Sequence, residues 1–259
     1  MTKQKLSFTF FLALFVTISY SQELRKINQE AFIPGEQLKY RVHYGFMDAG
    51  QATLTVAPTL KTVMGKTCYQ VVGEGKSVGA FDWFFKVRDR YESYIDKDAM
   101  IPWYFVRDVR EGGYKVNQKV KFDQLNNVAT SEKKAIKTPK HVQDLLSAFY
   151  FARTIDLSNA AIGDTFLIHT YLDDEIFPMM IKYVGKVYLT TDKGKFRCVK
   201  FKPYVMEGRV FKEQEGMTIW ISDDKNRVPV RAEANLMVGS IKMDLEEYSG
   251  VAHPLALVK

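Results

Sequence analysis

Cysteine is nearly absent from this chain, which holds two in 259 residues. So few cysteines exclude a disulfide-stapled scaffold, a zinc ribbon and an iron–sulfur site built on this chain alone. The sequence also lacks a glycine-rich phosphate loop and a nucleophile elbow. The four histidines are far apart and without ligand partners nearby: His43, His141, His169 and His253. These absences predict no cofactor and no metal site, and they predict that the protein is not an enzyme.

No apolar run in the sequence is long enough to span a membrane. The longest, over 6–18, follows Lys3 and Lys5 and gives way to small residues ending at Ser21. A basic start, a short apolar middle and a small-residue end are typical of a secretory signal peptide, here residues 1–21. A membrane-spanning helix needs roughly 20 residues, although an uncleaved N-terminal anchor is the alternative. Because no cysteine follows the run, we expect an exported protein that is not a lipoprotein.

A strong charge imbalance is missing too. The whole chain has 37 basic and 30 acidic residues, a net charge of +7. Two of those lysines belong to the predicted signal peptide, which leaves 35 basic against 30 acidic residues and a net charge of +5. The cations are spread along alternating segments such as 115–122, whereas nucleic-acid binders gather theirs on one patch. We therefore expect no nucleic-acid partner, and we expect a monomer.

Alternation of apolar and polar residues runs through most of the chain and predicts strands with one buried face. The predicted strands cover 38–44, 51–56, 67–73, 83–95, 101–110, 114–122, 164–171, 176–184, 195–205, 209–221, 228–238 and 240–248. Short, Asp- and Gly-rich turns separate them, which favours antiparallel pairing because parallel strands need long crossovers. The carboxylates of those turns are solvated, which argues against acid catalysis. We predict a mostly β domain over 22–259.

One segment has helical periodicity instead. Its apolar positions recur every three or four residues: Val142, Leu145, Leu146, Phe149 and Ala152. This spacing predicts an amphipathic helix over about 142–155, with Asp144 as N-cap, packed on the sheet.

The segments on either side of that helix resemble each other. Cys68 and Pro102 stand in the first as Cys198 and Pro229 stand in the second, within similar runs of residues. We interpret this as an internal duplication, with halves at about 32–135 and 160–250. Chance similarity between amphipathic strands is the alternative. We favour two separate buried thiols for the cysteines, with a disulfide as the alternative in an exported protein.

Several motifs occur in an order that resembles a known family. They lie at 32–40, 45–50, 83–94, 111–114, 143–150, 194–198 and 218–231. Together they resemble the bacterial domain-of-unknown-function family 3108 (DUF3108), exported proteins of Gram-negative envelopes. The resemblance implies a YmcC-like fold of curved antiparallel sheets, an open barrel or sandwich, with a helix packed on it. It implies a location in the periplasm or at the periphery of the outer membrane, and it brings no catalytic residues.

Seven side chains in the stretch 81–110 form the candidate ligand site. They are Phe81, Trp83, Phe85, Asp89, Trp103, Phe105 and Arg107. On alternating strands the aromatic residues would share one apolar face, where Asp89 and Arg107 would be costly to bury unless they pair. Such a pair would anchor a lipid-like or glycan-like head group. The alternatives are a structural ion pair or two solvated charges on a twisted sheet.

The sequence favours non-enzymatic binding or carriage of an apolar or amphipathic envelope component. The alternative is a structural or assembly factor for surface polysaccharide or outer-membrane proteins. A cavity lined by aromatic residues such as Phe81, Trp83, Phe85, Trp103 and Phe105 would favour the first hypothesis, and close packing of those side chains would count against it. A large exposed apolar patch without a cavity would favour the second.

Overall fold

The computed structural model describes residues 23–205, 216–237 and 239–258. The predicted signal peptide and the first part of the predicted strand over 209–221 lie outside the described residues.

Within these ranges the chain forms sixteen strands and two short helices. The first half contains β1 (Gln37–Tyr44), β2 (Met47–Val56), β3 (Lys61–Val63), β4 (Lys66–Ser77), α1 (Gly79–Phe84), β5 (Arg88–Asp96), β6 (Pro102–Glu111), β7 (Tyr114–Asp123), β8 (Val128–Thr130) and β9 (Ala135–Lys137). The second contains α2 (Leu145–Ala152), β10 (Thr165–Leu172), β11 (Glu175–Thr191), β12 (Gly194–Val205), β13 (Met217–Ser222), β14 (Pro229–Asn235), β15 (Ser240–Ser249) and β16 (Leu257–Val258).

The strands form one antiparallel sheet that does not close. Its order is β10-β11-β12-β13-β14-β15-β1-β2-β4-β5-β6-β7-β8-β9, with β3 beside β4 and β16 beside β12. A meander of eight strands (β1, β2 and β4 to β9) and one of six (β10 to β15) therefore follow each other, and they join where β15 pairs with β1. Cys68 and Cys198 lie on the third strand of their meanders, and Pro102 and Pro229 begin the fifth. Descent from a duplication stays a prediction that this arrangement fits.

The sheet curls until its outer strands face each other. Tyr171 on β10 packs edge-on against Phe122 on β7, with ring centroids 5.5 Å apart. Nearby, the Gln118 amide on β7 donates to the Asp174 carboxylate at 3.3 Å. These contacts confirm the predicted mostly β architecture of curved antiparallel strands, in the form of an open barrel.

The helix α2 lies inside the curl and contributes to the cores of both meanders. Leu146 and Tyr150 pack into the core of the first, against Phe32 and Val71. Ala148 packs into the core of the second. The predicted helix is confirmed but is shorter than expected, because residues before it pair with β10 instead: the Gln143 amide donates to the His169 carbonyl at 2.8 Å.

Asp144 is the N-cap of α2, as predicted. Its carboxylate accepts from the Ser147 amide at 2.8 Å and from the Ser93 hydroxyl at 2.6 Å, and its own amide donates to the Ser147 hydroxyl. The residue is fully buried. Burial raises the pKa of Asp144 to about 6, although the hydrogen bonds from Ser147 and Ser93 act to lower it.

This pKa makes stability depend on pH in a defined direction. Because the folded pKa lies above the ordinary value of 3.8, the folded state holds a proton that the unfolded state has lost between those pH values. The stabilising contribution is full below pH 4 and disappears as the pH rises through 6. Relative to Asp144→Asn, which keeps a capping side chain, the protein should gain about 1 kcal/mol between pH 7 and pH 5. Urea unfolding of both proteins at the two pH values measures this; a constant difference would contradict it.

The first helix, α1, corrects a prediction. The stretch from Trp83 to Phe85 was expected in a strand, but α1 ends at Phe84 and β5 begins only at Arg88. The Asp82 carboxylate holds the helical turn, accepting from the Ser77 hydroxyl and the Arg88 guanidinium, each at 2.6 Å. Alternation indicates a strand only where one face is covered, and here the aromatic residues point into solvent.

The cysteines agree with the favoured prediction. Both Cys68 and Cys198 are free and buried. Burial raises the pKa of each thiol to about 12, so neither is a reactive thiolate near neutral pH.

Candidate functional site

The structure does not bring the seven predicted ligand residues into one cavity. Phe81 and Trp83 lie on α1, and Phe85 follows its end. The Trp83 side chain is 83% exposed and Phe85 is 53% exposed. These aromatic residues therefore line no concave strand face, and the expectation that they do is wrong.

Trp103 and Phe105 are packed into the core instead. The indole Nε1 of Trp103 donates to the Asp96 carboxylate at 2.8 Å, and that carboxylate also accepts from the Asp98 and Ala99 amides. Trp103 thus stabilises the connection between β5 and β6. Phe105 belongs to the core that β6 to β8 share with Tyr171. Both side chains are fully used in packing, which counts against a ligand role.

The predicted Asp89–Arg107 pair is also wrong. Arg107 is buried on β6, as expected, but its guanidinium donates across the curl to the Asp173 carboxylate at 2.7 Å. Asp89 accepts from the Arg110 amide at 3.0 Å. The sequence could not predict the Arg107–Asp173 pair, because contact between the outer strands depends on how far the sheet curves. Arg107 therefore links the two meanders.

An apolar cavity of about 210 Å³ lies between α2 and the second meander. The helix contributes Leu145, Ala148, Phe149 and Ala152, and the strands contribute Phe166, Met179, Ile181, Phe201, Ile219 and Ile221. The space exists because α2 presents two alanines to this meander, whereas Leu146 and Tyr150 fill the other side. Apolar cavities of about 150 Å³ already take up benzene. This cavity accommodates an aromatic ring or a short length of acyl chain.

A polar pocket of about 480 Å³ adjoins the cavity and shares Arg153 and Leu157 with it. Two of its cations are neutralised: Lys186 lies 3.1 Å from the Asp223 carboxylate, and Lys225 lies 3.0 Å from Glu30. Together the cavity and the pocket form an amphipathic site with an apolar and a charged compartment.

Arg227 is the cation of this pocket without a direct ion pair among the described residues, although the charges of Asp156, Glu30, Asp223 and Asp224 act on it. Its guanidinium donates to the carbonyls of Arg153 and Ile155, and no carboxylate of the described residues lies within 4.0 Å of it. The residue is half-buried, and burial lowers its pKa. Its φ of 48° is in the left-handed region, where a non-glycine residue is held only by its surroundings. A half-buried guanidinium without a carboxylate is suited to an anionic group.

Arg153 separates the two compartments. It follows α2 and forms a bidentate ion pair with Glu36, at 2.6 and 2.7 Å, with both side chains almost completely buried. Burial lowers the pKa of Arg153, but the hydrogen bonds and charge of Glu36 outweigh it and raise the pKa overall. Arg153 is therefore a structural cation rather than a free ligand group.

The sequence prediction missed Arg153, Arg227 and the cavity. The sequence did contain one signal for Arg153. This arginine directly follows the apolar positions of a helix that was expected to be covered by the sheet. Arg227 lay in the turn after Asp223-Asp224, which was interpreted only as a turn. The cavity had no local signal, because it arises from residues on six separate elements.

Comparison with known sequences identifies the family. Residues 39–246 match the family described as "Protein of unknown function (DUF3108)". The chain belongs to this family, and the predicted resemblance is confirmed. No curated protein matches the chain.

Solved structures share the architecture at low identity. A β-barrel-like protein of the domain-of-unknown-function family 1849 from Brucella abortus is 8% identical, with a TM-score of 0.55, over 88% of this chain and 99% of its own. A Bacteroides fragilis protein, provisionally described as exported and YmcC-like in fold, is 14% identical, with a TM-score of 0.34, over 87% and 99%. The first supports the barrel-like fold. Among the described helices, none has the length and apolarity to cross a membrane.

Proposed function

We propose that this protein binds and carries an apolar or amphipathic component of the bacterial envelope without catalysing a reaction on it. The supporting observation is the junction of an apolar cavity with a polar pocket that offers Arg227. The apolar part of a lipid-like or glycan-linked ligand would enter the cavity, and an anionic head group would lie against Arg227. The signal-peptide pattern of residues 1–21 supports export, so the ligand would be met outside the cytoplasm.

The second hypothesis, a structural or assembly factor, draws on a different observation. The protein exposes several aromatic side chains at one end of the sheet. An exposed patch alone would favour assembly, but here a cavity is present as well. Carriage therefore remains the function that the geometry supports best, and the exposed end is considered separately below.

Two related dyes test the site. N-phenyl-1-naphthylamine is neutral, and 1-anilinonaphthalene-8-sulfonate is the same aromatic skeleton with a sulfonate. Both fluoresce more strongly in apolar surroundings, so titration gives their affinities. Ala152→Phe puts a ring into the cavity and should lower the affinity for both dyes at least tenfold. The control, Ala135→Phe, adds the same ring on exposed β9 and should change neither.

Arg227→Gln distinguishes the two compartments. Charge-assisted hydrogen bonds contribute roughly 1.5–3 kcal/mol, so loss of the guanidinium should weaken binding of the sulfonate about tenfold or more. Binding of the neutral dye should be unchanged. Failure of the protein to bind either dye, or equal binding by Ala152→Phe, would contradict the proposal.

A further inference from the structure

One end of the sheet gathers four turns. They connect β1 to β2, β4 to β5, β6 to β7 and β14 to β15, and they lie at the same end because the strands alternate in direction. Hydrogen bonds join them: the Val78 amide donates to the Ala49 carbonyl at 3.1 Å, and Gly112 donates to Lys86 at 2.9 Å. We call this set of turns the loop end.

The loop end exposes large apolar side chains at its tips. Phe46 is 91% exposed, Trp83 is 83% exposed and Phe84 is 77% exposed. Met237, at the tip between β14 and β15, is fully exposed. A soluble protein does not ordinarily leave so many large apolar residues in water on neighbouring turns. Their grouping indicates a surface that another molecule covers when the protein functions.

These side chains are presented by ordered structure. The Trp83 and Phe84 rings lie 4.8 Å apart on α1. The Asp82 carboxylate ties this helix to Arg88, whose guanidinium and the Ser77 hydroxyl hold the pKa of Asp82 near 2. Phe85 packs over Gly112, where a Cβ atom would lie 2.8 Å from its ring. The aromatic tip is therefore fixed in an outward orientation before any partner arrives.

Cations surround the apolar tips. Lys76, Lys86 and Lys115 are exposed, and none of them has a carboxylate of the described residues within 4.0 Å. The nearby acid Asp82 is neutralised by Arg88 at 2.6 Å. Burial and the neighbouring Asp89 raise the pKa of Glu111. The loop end therefore combines exposed aromatic residues with three exposed lysines that form no ion pair among the described residues.

We propose that the loop end docks the protein on the surface of an anionic lipid bilayer. Separate tips carrying Trp, Phe and Met suit the boundary between head groups and acyl chains, where amphipathic aromatic rings are favoured. Free lysines beside them suit the negative surface potential of anionic lipids. The core of a protein–protein interface is depleted of charged residues, whereas here exposed lysines stand between the apolar tips. Docking of this kind brings the carrier to a membrane without a spanning segment.

Vesicle co-sedimentation tests the proposal. The protein is purified from the envelope of expressing cells, and its intact mass establishes that residues 1–21 are absent. It should bind vesicles of phosphatidylglycerol and phosphatidylcholine, and bind pure phosphatidylcholine at least tenfold more weakly. Trp83→Ala with Phe84→Ala should lower binding at least tenfold. Tyr188→Ala, which removes an exposed aromatic residue on β11, is the control and should bind normally.

Two further variants keep the test decisive. Lys86→Glu should weaken binding only to the anionic vesicles, whereas Lys97→Glu, on the exposed turn between β5 and β6 at the opposite end of the sheet, should not. Trp83→Phe should still bind but lose the blue shift of tryptophan emission that docking produces. Absence of vesicle binding, or full binding by the double alanine variant, would overturn the proposal. Because Ala152→Phe should keep full vesicle binding, failure of the carrier function is separable from failure of docking.

Discussion

Replacing Arg153 by methionine should lower the free energy of unfolding by about 3–5 kcal/mol, because it leaves the Glu36 carboxylate buried without its partner. The guanidinium does more than neutralise Glu36. It also donates to the Ala31 carbonyl at 2.9 Å and to the Asn226 carbonyl at 3.0 Å. One side chain therefore joins the N-terminal segment, the end of α2 and the loop before β14.

Urea unfolding measures this loss of stability, and two further variants serve as controls. Glu247→Gln removes a partner of Lys39, 2.9 Å away at the surface, and should leave stability almost unchanged. The double variant Glu36→Gln with Arg153→Met should lose clearly less stability than the sum of the losses of the two single variants. Each single variant leaves one buried charge without its partner, whereas the double variant leaves none. A loss below 1 kcal/mol for Arg153→Met alone would show that the buried pair does not support the fold.

Gly250→Ala should be the most damaging single-methyl substitution among the glycines whose surroundings the structure describes, lowering stability by about 3 kcal/mol. The residue has a φ of +64°, which costs a non-glycine residue about 1–2 kcal/mol. In addition, a methyl group would press on the Gly35 peptide, whose carbonyl carbon would lie 2.8 Å away. Overpacking of this kind adds roughly 1–3 kcal/mol.

Gly65→Ala is the matched control. Its φ is +74°, but the added methyl would have nothing within 4 Å. It should therefore show only the backbone cost, about 1 kcal/mol. Thermal and urea unfolding of the two variants should differ by about 2 kcal/mol. Equal losses would mean that the close approach of Gly35 and Gly250 is relaxed at little cost.

The sheet and α2 were predictable because each follows a local rule. Period-two alternation located most strands, and the three- and four-residue spacing from Val142 to Ala152 located the helix and its cap at Asp144. The strand predicted at Trp83 was wrong. Apolar and polar residues alternate there as they do in the true strands, but no layer of the described structure covers the apolar face. Asp82, bonded to Ser77 and Arg88, holds the turn helical, and this depends on contacts that a period count does not contain.

The sequence predicted the kind of site, an apolar cavity, but not the residues that form it. An apolar binding cavity was expected, but the aromatic residues assigned to it are either core, as Trp103 and Phe105 are, or exposed, as Trp83 is. The cavity instead depends on small residues of α2, Ala148 and Ala152, which leave room against the second meander. Size mismatch between facing elements is a property of the packed pair and has no signature in either sequence segment.

The junction between β15 and β1 has a kinetic consequence. Gln37 pairs with Ser249, so the middle of the sheet is held together by residues from opposite ends of the chain. Such distant pairing raises the contact order, and sheets with high contact order fold slowly. Synthesis starts at the N-terminus, so β1 pairs with β2 before β15 exists. Its other edge is then unpaired and can pair with another molecule. The last long strand to be synthesised covers the edge of the first one, and until then the chain depends on being kept apart from its own copies.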